Sequence, residues 1–242
     1  MIRTPAAPTP PSREPLSRER IARAALALID AVGVAGCSMR RLGADLGVEA
    51  MALYHHFPAK GALLDAVLDL LAAEIEVPPP ESGAPLARLR TALESYFGIA
   101  RRHPRAFVLL ATRRFNSEAA FAKYEQILQA FAEAGLDAQR SAYWFRLLGN
   151  YASGSGLADI ASRELEPDAT PLVLEHSPQR VAHPHVAAAA PHLQAGRLDA
   201  AFGYGLDILF DALARELRSG RRGARTSERR RSAVRQGSAP AD

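Results

Sequence analysis

Residues 38–57 place two helix-length segments around the turn glycine Gly47, and this constrains the fold more than any other feature of the chain. Ser38 can accept a hydrogen bond from the free amides that open a helix, and Leu42 and Leu46 recur at helical spacing in the run Met39 to Leu46 behind it. Gly47 then supplies a turn. Val48 to about His56 reads as another short helix with Leu53 and Phe57 inward, stopped by Pro58 and Ala59. Two short helices across a tight glycine turn make the helix-turn-helix pattern, whose second member enters the major groove of DNA. Many helical proteins contain such a corner for structural reasons alone, so a helical interaction or ligand-binding protein is the competing reading.

The flanking sequence extends the helical account. Ser17 can cap a helix carrying Ile21, Ala25, Leu28 and Val32, which Gly33 ends; Lys60 opens a helix with Leu63, Leu64, Val67, Leu68 and Leu71 on one side. The run PPPESGAP, 78–85, marks a junction. Beyond it, Leu86 to Ala100, Phe107 to Arg114, Ala119 to Ala134, Gln139 to Ile160 and Asp199 to Arg218 read as the helices of a bundle. The expected fold is all-α, with a helix-turn-helix domain over 17–76 and a bundle over 86–218. The arm 1–16, with five prolines, and the Arg-rich tail 219–242 are expected to be disordered.

Charge adds less than its total suggests. The formal net charge is +4, but the tail contributes +5 and the arm +1, leaving −2 for residues 17–218. The folded part is therefore not identified as DNA-binding by its charge. No apolar run approaches the roughly 20 residues of a membrane span, and the N-terminus has no apolar signal core, so a cytoplasmic protein is expected. The single cysteine, Cys37, has no adjacent base and reads as a small buried filler.

The residues themselves are more specific than the pattern. The segment SMRRLGADLGVEAMALYHHFPAKGALLDAVL, 38–68, resembles the DNA-binding domain of tetracycline-repressor (TetR) family regulators, and HPRAFVLLATRR (103–114) with LLGNYASGSGLAD (147–159) resembles the effector domain of the tetracycline-repressor subgroup. The resemblance implies a homodimeric regulator, in the subgroup a repressor, that binds a palindromic operator in double-stranded DNA and leaves it on binding a small-molecule effector. It places Arg40 where a guanine is read, Ser38, Tyr54 and His55 at phosphates, and Lys60 as a backbone clamp. An arginine fork matches the two acceptors of a guanine edge. Ala50, Met51 and Ala52 occupy the start of the recognition helix without hydrogen-bonding side chains, so they offer base edges apolar contact such as thymine methyls accept.

Catalytic and metal chemistry find no footing. There is no nucleotide-binding glycine fingerprint, P-loop or nucleophile elbow, so no enzyme activity and no cofactor are predicted. His55 and His56 point about 100° apart on a helix and cannot grip one ion. His176, His183, His185 and His192 lack a cysteine or carboxylate cluster, and no metal site is assigned. The GSG at 154–156 lies in helix-like sequence and reads as a close-packing spot.

The bundle holds most of the aromatic residues, whose default place is the core but which can also line an effector cavity. The resemblance puts the pocket among Tyr96, Phe107, Thr112, Arg113, Phe115, Trp144 and Asn150, with Arg113 and Asn150 orienting the ligand. Leu109 stands where the tetracycline repressor carries a metal-binding histidine, and leucine offers a hard cation no donor. The expected effector is therefore apolar, aromatic-compatible and not metal-chelated. The broad stripe Ala201, Leu206, Leu209, Phe210, Leu213 and Leu217, with residues 139–160, is the expected dimer face.

Overall fold

The structure is a computed structural model that describes residues 15–113, 117–165, 182–193 and 198–236, with no side-chain description beyond Ser219; Phe115 and His176 lie outside the described residues. Every element among them is helical, so the architecture is all-α. The chain divides into two units, Met1–Val67 and Leu68–Asp242.

The first unit contains α1 (Arg18–Gly36), α2 (Met39–Leu46), α3 (Ala50–Tyr54) and the beginning of α4 (Lys60–Ala73). Ser17 and Ser38 cap α1 and α2, each hydroxyl accepting a backbone amide at 3.2 Å. Gly33 interrupts α1 at φ 77°, a left-handed conformation that favours glycine, and one further turn follows it. Gly47, at φ 68°, closes α2: its own amide reaches Ala44 O at 3.1 Å and the Val48 amide reaches Gly43 O at 2.9 Å. This pair of bonds is the Schellman closure that satisfies carbonyls left over at a helix end. Ile21, Ala25, Ile29, Leu42, Leu53, Phe57, Leu63 and Val67 are buried together with Cys37, whose thiol burial pushes above its ordinary pKa. The recognition helix is shorter than its sequence pattern, five residues rather than nine, because the chain around it is fixed by turns.

In the second unit, α5 (Pro85–Arg102), α6 (Phe107–Thr112), α7 (Glu118–Ala134), α8 (Ala138–Leu165), α9 (Pro184–Ala189) and α10 (Leu198–Gln236) follow in order. Leu89 from α5, Ala130 and Phe131 from α7, Leu136, Leu148 from α8 and Leu213 from α10 form one buried cluster. Phe97, Ala152, Phe202 and Leu206 form another. Inside the helical layers, Arg88 is buried, donates to the Pro78 carbonyl at 2.8 Å and pairs with Glu133. Asp159, also buried, is held by Arg163 at 2.8 Å and by Arg101.

The first compact unit ends at Val67, inside α4, and the chain from Leu68 to Glu74 is tied to later helices of the second unit. Asp69 accepts from Ser117, and the Glu74 carboxylate accepts from Arg102 at 2.9 Å and stands 3.0 Å from His103. The tail is not irregular throughout: α10 continues to Gln236, since an established helix propagates at one bond per residue and Arg and Ala favour it. Finally, the stripe assigned to the dimer turns inward apart from Ala201. Leu206 and Leu213 are fully buried, and Leu209, Phe210 and Leu217 pack on the two clusters of this same chain.

Candidate functional site

On the first unit, the buried faces of α2 and α3 dictate what remains outside. Met39, Leu42 and Gly43 turn inward on α2, which leaves Ser38, Arg40 and Arg41 exposed. On α3, Leu53 is buried while Met51, 66% exposed, Tyr54 and His55 face out; Ala50 and Ala52 are half-buried. A methionine this exposed has no packing role in the unit and is available to an apolar partner. Gly43 sets how near the two helices come: a Cβ there would lie 2.8 Å from Val48 O and 3.3 Å from Ala50 N. Lys60 differs from a freely extended surface cation. Its half-buried ammonium donates to the Val34 carbonyl at 3.1 Å, tying α4 to the last turn of α1 and leaving its other protons for an outside acceptor.

Within the second unit, aromatic rings from α5, α6, α7 and α8 converge. Tyr96 meets Phe107 edge-on at 5.4 Å, Tyr124 meets Phe145 at 5.2 Å, and the Tyr96 and Ser153 hydroxyls are 2.8 Å apart. Burial pushes the Tyr96 phenol above its ordinary pKa; the Ser153 hydrogen bond pulls it down and the neighbouring Tyr124 adds to the rise. Phe145, Gly149, Ala152 and Gly156 recur at helical spacing and share one side of α8. At Gly156 a Cβ would meet the Phe107 ring at 2.6 Å, so this member of the GSG run is the close-packing spot. At Gly149 a Cβ would meet nothing within 4 Å.

The expected pocket residues are only partly brought together. Tyr96 and Phe107 are. Asn150 is exposed, because one residue of helix turns it about 100° from Gly149. Trp144, which packs on the same cluster as Phe145, donates its indole N–H to Glu216 at 3.0 Å. Thr112 is exposed and donates to Val108 O, whereas Arg113 is half-buried at the end of α6. Leu109, where a metal ligand would stand, is buried.

Two helix faces in this unit stay uncovered. Tyr143, Leu147, Gly154 and Leu157 line an exposed side of α8, and Ala201, Tyr204 and Ile208 line one on α10, Tyr204 being 70% exposed. Among the described residues, no helix is long and apolar enough to cross a membrane.

The family model for bacterial regulatory proteins of the tetR family matches residues 21–67, and that for the tetracyclin repressor-like C-terminal domain matches 77–217. The HTH-type transcriptional repressor DrrR1 of Streptomyces coeruleorubidus is 31% identical over 160 residues, covering 64% of this chain and 59% of that protein's length. Tetracycline repressor protein class G of Vibrio anguillarum is 32% identical over 203 residues, 79% of this chain and 90% of the relative. Among solved structures, the TetR family protein ActR of Streptomyces coelicolor in complex with actinorhodin superposes with a TM-score of 0.72 at 25% identity, covering 83% of this chain and 96% of that one.

Proposed function

Since the chain belongs to the TetR family of transcriptional regulators, we propose that it is a cytoplasmic homodimeric repressor that binds a palindromic operator and releases it when a small molecule occupies the second unit. The observation that carries this reading is the outward set Arg40, Met51, Tyr54 and His55 on α2 and α3 over a fully buried inner face. In it, Arg40 reads a guanine, Ala50, Met51 and Ala52 offer apolar contact to bases, and Ser38, Tyr54, His55 and Lys60 hold phosphates. The names of the relatives, repressors among them, support the direction of control.

Selection of duplexes from a random-sequence pool tests the reading, with enrichment of one palindromic site as the expected result and no enrichment as its refutation. On the enriched duplex, Arg40→Ala is expected to cost about 1–3 kcal/mol and to relax preference at one base pair per half-site. Lys60→Ala is expected to weaken selected and scrambled duplexes alike and to lower the salt slope by about one. Equal losses for Arg40→Ala on both duplexes would reduce Arg40 to a phosphate contact.

In this reading the effector approaches the side of α8 that carries Phe145, Gly149 and Ser153, where position 149 is open and Tyr96 and Phe107 meet edge-on. This environment suits an apolar, ring-containing molecule with one hydroxyl or carbonyl for the Tyr96 and Ser153 pair, not a metal chelate. A solved structural neighbour in complex with actinorhodin supports a small-molecule effector. Binding releases DNA only as far as the effector prefers the conformation that mismatches the operator. Gly149→Leu fills the open space and is expected to abolish melting-temperature shifts produced by aromatic hits from a compound screen, with affinity for the selected duplex held within about two-fold. Hits that shift Gly149→Leu as strongly as the unaltered protein would place the site elsewhere.

A further inference from the structure

Arg18 stands where local preference would not put it. It is the first residue of α1, and a cation in the first turn opposes the positive end of the helix dipole. Glu19, next to it, is the residue type that position favours, and it is engaged by Arg23 four residues on. A reason for Arg18 must lie outside its own helix. Its guanidinium covers the face of the Phe57 ring, with the central carbon 4.2 Å from the ring centre, and one N–H donates to the backbone carbonyl of His56. All these residues lie in the first unit.

The recognition helix needs such a support. Helix α3 has five residues, and its N-cap, Glu49, makes no side-chain capping bond. At the other end the amides of His56 and Phe57 both return to Leu53 O, at 3.0 and 2.9 Å, so the exit is a tight turn whose own carbonyls need donors. Arg18 supplies one at His56 and stacks on the buried ring that follows it. The outward residues Tyr54 and His55 hang between Leu53 and these two fixed points.

We propose that Arg18 is a positioning residue for sequence reading: by capping His56 and covering Phe57 it fixes the exit of the recognition helix and hence the presentation of Met51, Tyr54 and His55. The assignment rests on the DNA-reading proposal above. Its signature is a loss of discrimination, since the preferred duplex depends on exact placement whereas scrambled DNA is held by charge at any register.

The test measures melting temperature and affinity for the duplex enriched by the unaltered protein and for a scrambled duplex, over a range of salt. Arg18→Met keeps the stem over Phe57 and removes the donors. It is expected to weaken the enriched duplex about ten-fold and the scrambled one less than about two-fold, with the salt slope unchanged. Arg18→Lys, which keeps a cation and a donor, is expected to recover most of the discrimination and carries the test should Arg18→Met melt too low to assay. Equal losses on both duplexes with a salt slope lower by about one would make Arg18 a phosphate contact. A lowered melting temperature with unchanged discrimination would make it a structural cap only. Either result overturns the proposal, whereas failure of the unaltered protein to enrich any duplex would sink the DNA-reading proposal itself.

Discussion

The double variant Leu147→Glu with Ile208→Glu is expected to sediment as a monomer at micromolar concentration and to lose on the order of 10²–10⁴ in affinity for a palindromic duplex. Both side chains are 47% exposed in the single chain, so the exchange leaves no cavity and its melting temperature should change little apart from the contribution of dimerisation itself. The faces they belong to, Tyr143 to Leu157 on α8 and Ala201 to Ile208 on α10, carry apolar side chains that nothing among the described residues covers. A two-fold axis would set each face against its copy, since such an interface uses the same patch on both subunits. The loss in DNA affinity follows because two half-sites bound through one dimer share a single association step. A double variant that remains dimeric would remove these faces from the interface, and a monomer with undiminished affinity would show that pairing is not needed for DNA binding.

Gly43→Ala should reverse the usual sign of its substitution class. In the interior of a helix, alanine for glycine ordinarily stabilises by roughly 0.5–1 kcal/mol. At Gly43 the new Cβ would lie 2.8 Å from the Val48 carbonyl and 3.3 Å from the Ala50 amide nitrogen. Both are backbone atoms and cannot swing away, so α2 and α3 must separate. The expected outcome is a loss of about 1–3 kcal/mol, read as a lower melting temperature. Affinity for the selected duplex should fall as well, because the separation moves Arg40 relative to Met51 and Tyr54. Gly33→Ala serves as the contrast: its space is open and its penalty is the φ of 77° alone, so it should lower stability without altering duplex discrimination. A Gly43→Ala protein that melts higher than the unaltered one would show that the two helices have room to spare.

The two halves of the chain were unequally legible. The reading head is built from local rules: Ser38 caps, Gly47 turns, Leu42 and Leu53 anchor, and each rule acts within a few residues. The effector site depends on which side of a long helix faces its neighbours, where one position decides the outcome. Asn150, which resemblance singled out with Arg113, faces outward, while its neighbour Gly149 has open space. Trp144, placed in the pocket by the same resemblance, donates its indole to Glu216. On α10 the broad apolar stripe was real, and its assignment was not: α5 and α8 of the same chain cover Leu206 and Leu213.

Sequence by itself determined the helical class and the helix-turn-helix corner, because periodicity, capping and turn chemistry are short-range and survive without knowledge of neighbours, while the family followed from the specific residues of 38–68. Tertiary structure alone decided that Lys60 ties back to Val34, that Arg18 reaches across to His56 and Phe57, that the unit boundary falls within α4 and that α10 offers Tyr204 and Ile208 outward. Each of these depends on contacts between residues far apart in the chain, 38 positions for Arg18 and His56 and 26 for Lys60 and Val34. Such contacts are set by how whole helices pack, and no local pattern encodes which of two apolar faces a neighbour will claim.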